Sequence, residues 1–379
     1  MRKYFCVGAA CLWMMLYLFW YPSPVIAADL PEISAKSAVV MEAVTGRVIL
    51  EHNADERLPM ASTTKIMTAL LTLEQSGLDT PFCVDSDAIR VEGSSMGLVE
   101  GAEVTLRTLA AGMLLASGND AANAAAVRIA GSIPDFAILM NQRAAELGMK
   151  DTNFETPSGL DSQSHYTTAK DLALLARAAL ENEDFRALCS QKSMKLSYGN
   201  PPQERWLENH NRLLTEYDGC IGVKTGFTKK AGRCLVSAAE RNGIRLICVT
   251  LNDPDDWNDH KALLDAGFSG TALAGQKPEQ ISIPVVGGEA DTVIAGVGEF
   301  SEPAVRTEEL SQLSISIEVE PFVYAPVGVG QQLGRACWML DGKEIYSLPL
   351  TAQQDVDAVL PKENWFCRIW RELLLGLFQ

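Results

Sequence analysis

The sequence is short of what a metal or nucleic-acid site needs. Its four histidines (His52, His165, His210, His260) are scattered at no metal-ligating spacing. Its nine cysteines form neither a C-x-x-C pair nor a cysteine–histidine cluster. No zinc site is indicated, and no cofactor is called for. Basic residues are also scarce: 32 lysines and arginines stand against 48 acidic residues, a formal charge of −16. Such a surface repels nucleic acid and other polyanions, so neither is expected as a partner. Low-complexity tracts and internal repeats are absent too. What is there is 379 residues of ordinary globular composition, 47% hydrophobic and 21% charged, enough for two domains.

The ends carry membrane signals. A basic start, "MRK", precedes an apolar run from Tyr4 to Tyr21 and then "PSPVIAA", whose small residues suit cleavage after Ala27 or Ala28. The competing reading is an uncleaved anchor, since the run is nearly long enough to span a bilayer. Either way the body is expected outside the cytoplasm, on the outer face of the membrane. At the other end, "ENWFCRIWRELLLGLFQ" places Trp365, Phe366, Ile369, Trp370, Leu373, Leu374 and Leu377 on one helical face, with Arg368, Arg371 and Glu372 opposite. It is too short to span and is expected to lie in the membrane interface. Apart from Cys6 and Cys11 in the leader, the cysteines are an odd set. Cys220, Cys234 and Cys248 fall on neighbouring expected strands, which leaves open a disulfide or buried free thiols.

Between the ends, "SAVVMEAVTGRVILEH" (37–52) reads as a β-hairpin turning at Thr45–Gly46. From there to about residue 215 the pattern is mostly helical: a helix at Ser62, then 105–117, 120–131, 135–148 and 169–181, the last with Thr168 and Asp171 as a capping pair. Strands return at 219–227, 232–241 and 244–252, the latter two joined by Arg241–Asn242–Gly243. A helix at 259–268 closes this part. Two early strands, a large helical insert and three late strands are expected to share one sheet. After Gly270 short alternating strands with Gly, Pro and Asp turns read as a small β-sandwich without catalytic groups. The expected domains are a signal peptide (1–27), a catalytic α+β domain (28–270), a β-sandwich (271–360) and an amphipathic helix (361–379).

The helix "MASTTKIMTALLTLE" poses a question. At 100° per residue Ser62, Lys65, Ile66, Ala69 and Leu73 share one stripe, so Lys65 points with the apolar side chains, where an ammonium is costly to desolvate. Two further motifs bear on it: Ser117-Gly118-Asn119 in a turn between helices, and Lys224-Thr225-Gly226 near the end of a strand. Each alone is weak; in this order and these contexts the set is specific. Cleaving an amide through an acyl-enzyme needs a nucleophile with a base one hydrogen bond away. At i and i+3, Ser62 and Lys65 meet that need if the lysine is neutral. Moving a lysine pKa from about 10.4 to near 7 takes roughly 4 kcal/mol. The apolar stripe and a second cation, Lys224, both push that way.

With "AKSAVVMEAVTGRVI", "LPMASTTKIMTALL", "SSMGL", "ASGNDAANA", "LGMKDTNFETPSGLD", "HYTTAKDLALLARA" and "GCIGVKTGFTKKAGRCLVSAA", the chain resembles the serine-type D-alanyl-D-alanine carboxypeptidases, the low-molecular-mass penicillin-binding proteins, from about Ile33 to Phe268. The tail and terminal helix are similar to theirs as well. The resemblance implies a β-lactamase/transpeptidase-like α/β (α+β) fold with an antiparallel sheet. The implied substrates are peptidoglycan stem peptides ending in D-Ala-D-Ala, with β-lactam antibiotics as covalent ligands. Ser62 would be the nucleophile and Lys65 its base, and Ser117 would relay a proton to the leaving nitrogen. Asn119 would bond Lys65 or the substrate amide, and Lys224 and Thr225 would hold the terminal carboxylate. Gly226 would let the substrate backbone lie against the strand edge, and the backbone N–H groups of Ser62 and Phe227 would form an oxyanion hole.

Two departures stand out. Relatives carry an arginine after the third late strand that helps hold the carboxylate, whereas "TLNDPDDWNDHKALLD" has none and has aspartates at 253, 255, 256, 259 and 265. This block is similar to the branch that trims spore-cortex peptidoglycan. Position 227, often histidine in relatives, is phenylalanine. The competing functions are a class A β-lactamase, an endopeptidase on peptide crosslinks and a non-catalytic wall-binding protein. The first lacks its E-x-x-L-N loop between Ser117 and Lys224, and the last gives no reason for the complete motif set.

Overall fold

The computed structural model describes residues 30–359; the expected leader and the expected C-terminal amphipathic helix lie outside the described residues. The chain divides into two units, one built from residues up to Leu273 together with Pro303–Leu310, the other from Ala274–Glu302 and from 311 onward.

The first unit opens with the expected hairpin, β1 (Ser37–Glu42) and β2 (Val48–His52). The buried Glu42 carboxylate organises the turn, accepting from the backbone N–H of Val44 and Thr45 and from the Thr45 hydroxyl. Next comes α1 (Lys65–Leu73), buried at all nine positions. A short ribbon, β3 (Phe82–Cys83) with β4 (Glu103–Val104), leads to α2 (Leu106–Leu114), α3 (Asn119–Ala130), α4 (Ile133–Glu146), α5 (Ala169–Glu181) and α6 (Glu183–Cys189). Side-chain N-caps start four of these helices, from Thr105, Ser132, Thr168 and Asn182, each accepting a backbone N–H three residues on. Only half of the Thr168–Asp171 pairing forms: Thr168 caps Asp171 N–H, while the Asp171 carboxylate accepts from Asp151 N and Thr152 Oγ1.

The mostly helical reading up to residue 215 needs correcting here. Residues 193–208 form a two-stranded ribbon, β5 (Ser193–Tyr198) and β6 (Gln203–Glu208), before the one-turn helix α7 (Leu213–Glu216). Strands β7 (Cys220–Thr228), β8 (Gly232–Arg241) and β9 (Ile244–Leu251) then join the first hairpin in one antiparallel sheet of order β2-β1-β9-β8-β7. The β8–β9 turn uses positive φ at Asn242 and Gly243, as two-residue hairpin turns require. The sheet is buried on both faces. Val39, Met41, Val236 and Val249 face the helical core, and Ala38, Val40, Leu235 and Leu246 pack with Leu263 and Leu264 of α8 (Asp256–Ser269). This double burial is why the strands read as near-continuous apolar runs rather than alternating ones. Strand β10 (Thr271–Leu273) pairs with β13 (Ala304–Arg306), which returns to this unit after β11 (Ile281–Val286) and β12 (Thr292–Gly296).

The second unit is all-β, as expected. With β14 (Leu313–Val319), β15 (Val323–Tyr324), β16 (Gln332–Leu340) and β17 (Lys343–Ala352), it forms a six-stranded sheet of order β14-β16-β17-β12-β11-β15. Trp338 is fully buried in it. The six described cysteines are free thiols, including Cys220, Cys234 and Cys248. Among the described residues no helix is long and apolar enough to cross a membrane.

Candidate active site

The approach to α1 is not the regular helix the sequence suggests. Ala61 takes φ 48°, and Ala61–Thr64 makes a 3-10 turn that brings Ser62 to the start of the helix. Two hydroxyls tie this turn down: Thr63 Oγ1 donates to Met60 O (2.6 Å) and Thr64 Oγ1 to Ala61 O (2.8 Å). Behind them His165 accepts the Glu155 N–H at Nδ1 (3.0 Å), so Nε2 carries the hydrogen and donates to Thr64 Oγ1 at 2.8 Å. Burial pushes the His165 pKa down to about 4, so the imidazole stays neutral and holds this tautomer.

Lys65, at the first helical position, is fully buried. Its Nζ lies 3.0 Å from Ser62 Oγ and donates to Asn119 Oδ1 (2.6 Å) and to the Ser158 carbonyl (2.6 Å). Burial, and then the charge of Lys224, hold its pKa well below that of an ordinary lysine, against an upward pull from Asp120. Lys224 is itself buried, and that burial brings it down to about 7; its Nζ donates to the Thr225 carbonyl at 3.0 Å.

The second wall is assembled around the turn between α2 and α3. Ser117 sits there at φ 58°, a left-handed conformation that non-glycine residues avoid unless held. Asn119 is fixed from both ends, its N–H on Ser94 O (2.7 Å) and its Nδ2 on Glu92 O (2.7 Å). The buried Asp120 carboxylate gathers the 95–98 loop, accepting from Ser95 Oγ (2.6 Å) and from the N–H groups of Met96 (3.0 Å), Gly97 (3.1 Å) and Leu98 (3.0 Å).

These parts meet at a cleft of about 450 Å³ whose inner wall carries Ser62, Ser94, Ser117, Thr225, Gly226 and Phe227. His210, Arg212, Arg233, Asp256 and Trp257 line the rest of it. Of the eight residues singled out from sequence, five thus line one cavity, Lys65 and Asn119 stand one and two hydrogen bonds behind Ser62, and Lys224 is bonded to the Thr225 carbonyl. Gly226 has a further reason to be glycine beyond room for a substrate. A Cβ there would lie 3.0 Å from both Ser62 N and Thr63 N, so β7 packs directly on the Ser62 turn. Phe227 is 65% exposed at the edge of this wall.

Residues that sequence reasoning missed are Ser158, whose backbone carbonyl binds Lys65; His165 and Asp120, which set the two walls; and Arg233, Asp256 and Trp257 at the cleft. The "SGND" string carried a signal for Asp120, an acidic letter beside an alanine-rich run; the Ser158 backbone carbonyl left none. Among the described residues no group of histidine, cysteine or acidic side chains could hold a metal. A hydroxyl next to a buried amine, in a cleft that also carries arginine side chains, suits nucleophilic attack on an acyl group next to an anionic terminus.

The sequence profile for D-alanyl-D-alanine carboxypeptidase matches residues 25–255, and that for the penicillin-binding protein 5 C-terminal domain matches 273–358. The chain is 34% identical to the D-alanyl-D-alanine carboxypeptidase DacF of Bacillus subtilis over 336 residues, 85% of this chain and 86% of the relative. It is 32% identical to DacC of Escherichia coli over 388 residues, 96% of this chain and 94% of the relative. Among solved structures, the D-alanyl-D-alanine carboxypeptidase DacD of Francisella tularensis is similar with a TM-score of 0.66 at 28% identity, covering 90% of this chain and 98% of that one. Penicillin-binding protein 5 of Haemophilus influenzae gives 0.66 at 29% identity, covering 87% and 99%.

Proposed function

The chain belongs to the D-alanyl-D-alanine carboxypeptidase family, and we propose that its serine-peptidase chemistry runs through Ser62, with neutral Lys65 as general base, on cell-wall peptides ending in D-Ala-D-Ala. The observation that carries the reading is the set of partners around Lys65 Nζ. Two of its three neighbours, Asn119 Oδ1 and Ser158 O, are carbonyl oxygens that can only accept. A neutral amine gives them its two hydrogens and keeps one lone pair, which faces Ser62 Oγ.

Ser62 then donates its hydroxyl proton to Lys65 as its oxygen attacks the carbonyl of the penultimate D-alanine. The N–H groups of Ser62 and Phe227 hold the developing oxyanion. Ser117 takes up that proton from Lys65 as it gives its own to the leaving amine, the C–N bond breaks, the terminal D-alanine departs, and Lys65 is neutral again. Water attacks the ester on Ser62 with Lys65 again as base, which restores the enzyme. Lys224 and Thr225 face the terminal carboxylate, and Asn119 keeps Lys65 aimed. A β-lactam, whose ring amide presents the same target, acylates the same oxygen.

The apolar N-terminal sequence, the amphipathic pattern of the C-terminal sequence and the nature of the substrate support an exported enzyme that works at the outer face of the cytoplasmic membrane, with the four-part division 1–27, 28–270, 271–360 and 361–379. The acidic 250–265 block and the likeness to the Bacillus subtilis relative support a place in the branch that trims spore-cortex peptidoglycan.

Treatment with penicillin followed by digestion and mass spectrometry tests the chemistry. A lasting penicilloyl adduct on the peptide containing residues 60–65 is expected, with adduct and D-alanine release both lost in Ser62→Ala. Rapid hydrolysis of penicillin instead would favour the β-lactamase reading, and D-alanine release that survives Ser62→Ala would name the wrong nucleophile.

A further inference from the structure

The acidic block 250–265 contributes no arginine, yet it brings Asp256 and Trp257 to the cleft, and both are in contact with an arginine from a different strand. Arg233 stands on β8 directly across from Phe227 of β7. Its Nε donates to Asp256 Oδ1 at 2.9 Å, on a carboxylate whose side chain is only 3% exposed. Its guanidinium carbon lies 5.4 Å from the centroid of the Trp257 ring, within cation–π range. The group is therefore fixed by one nitrogen and one face. Its two Nη nitrogens make no hydrogen bond among the described residues, and the side chain lines the cleft together with Ser62, Thr225 and Gly226. We propose that Arg233, held by Asp256 and Trp257, is the specificity residue that receives the free terminal carboxylate of the substrate on its open Nη fork.

The other cations near the nucleophile serve this purpose poorly. Lys65 must be neutral to act as base, and burial brings Lys224 down to about 7, so its charge is partly lost in the empty site. A guanidinium keeps its charge throughout and offers parallel N–H groups that match both carboxylate oxygens. Arg212 also lies over Trp257, at 5.7 Å, but its Nε and Nη2 are already bonded to Glu216. Arg233 is the one with the fork unclaimed.

This role rests on the Ser62 reading, and the test separates the two. Full-length wild type, Arg233→Gln and Arg233→Lys are compared on two peptides, one ending in D-Ala-D-Ala with a free carboxylate and one with that carboxylate capped as the amide. Thermal unfolding shows whether each variant is folded. Arg233→Lys keeps a cation for Asp256 but loses the fork, so it carries the test if Arg233→Gln fails to fold. Both variants are expected to lower kcat/KM on the free-carboxylate peptide at least 30-fold, mainly through KM, and on the capped peptide by less than 3-fold. An equal fall on both peptides, or no fall on the first, overturns the assignment. Wild type that releases nothing from either peptide overturns the Ser62 reading, and Arg233 with it.

Discussion

Gly159 and Ala61 touch through their backbones: a Cβ on Gly159 would lie 1.9 Å from the Ala61 carbonyl oxygen, and Gly159 has φ +84°. This contact lays residues 157–159 along α1, where Pro157 O accepts from Thr68 Oγ1 at 2.6 Å and Ser158 O from Lys65. A methyl group at 159 meets both the steric block and the left-handed backbone. Gly159→Ala is expected to lose about 2–4 kcal/mol of stability and to slow penicillin acylation more than 100-fold, because the Ser158 carbonyl moves away from the base. Thermal unfolding and the rate of adduct formation check this. Acylation at the wild-type rate would mean the 158 carbonyl does not matter.

Exchanging the base separates charge from basicity. Lys65→Arg keeps a cation but places a group that cannot be deprotonated beside Ser62. Acylation is expected to fall at least 1,000-fold, as far as in Lys65→Met, in a stopped-flow or labelling assay. An arginine variant that retained a tenth of the activity would show that a fixed positive charge, not a lone pair, is what Ser62 uses.

Lys224 is a stability liability kept for function. Its pKa is about 7 when folded against 10.5 for the free side chain, so between those values the unfolded chain binds more protons and stability rises with pH. The penalty is about 4 kcal/mol near pH 7 and under about 1 kcal/mol by pH 10. Lys224→Met is therefore expected to be inactive on D-Ala-D-Ala peptides yet more stable, with a gain that is large at pH 6–7 and shrinks toward pH 10. Denaturant unfolding at both pH values measures it. A gain that grew with pH would have the wrong sign.

Asp120 links architecture to the base. Its carboxylate holds four groups of the 95–98 loop, and its charge raises the Lys65 pKa. In Asp120→Asn an amide N–H faces those donors, which is expected to destabilise the protein by about 2–4 kcal/mol. The loss of negative charge moves the acid limb of the acylation pH profile to lower pH. A profile shifted the other way would contradict the electrostatic part of this account.

How legible all this was depended on where each feature's cause lies. Helix α5 was readable to the residue because Thr168 caps it and its apolar stripe repeats cleanly, and the β8–β9 turn because Asn242–Gly243 allows positive φ. The β5–β6 ribbon was missed because it has no strong face: much of it is exposed, and Trp206 is 68% exposed. Lys65 was legible as an anomaly on an apolar stripe. The Ser158 carbonyl was not, since a backbone acceptor leaves no chemical letter. Arg233 escaped notice because its partners, Asp256 and Trp257, lie more than twenty residues away, and only the packing of α8 on the sheet brings them together.

The claim on which the rest depends is that Lys65 is a free amine in the resting enzyme. Carbon-13 labelling of the lysine side chains, with the Lys65 ε-carbon signal assigned by its loss in Lys65→Arg, allows a direct titration. The account predicts a transition well below the 10.5 of an ordinary lysine, moving lower still when the Asp120 charge is removed. A signal that stays that of a charged ammonium until pH 10 would contradict it.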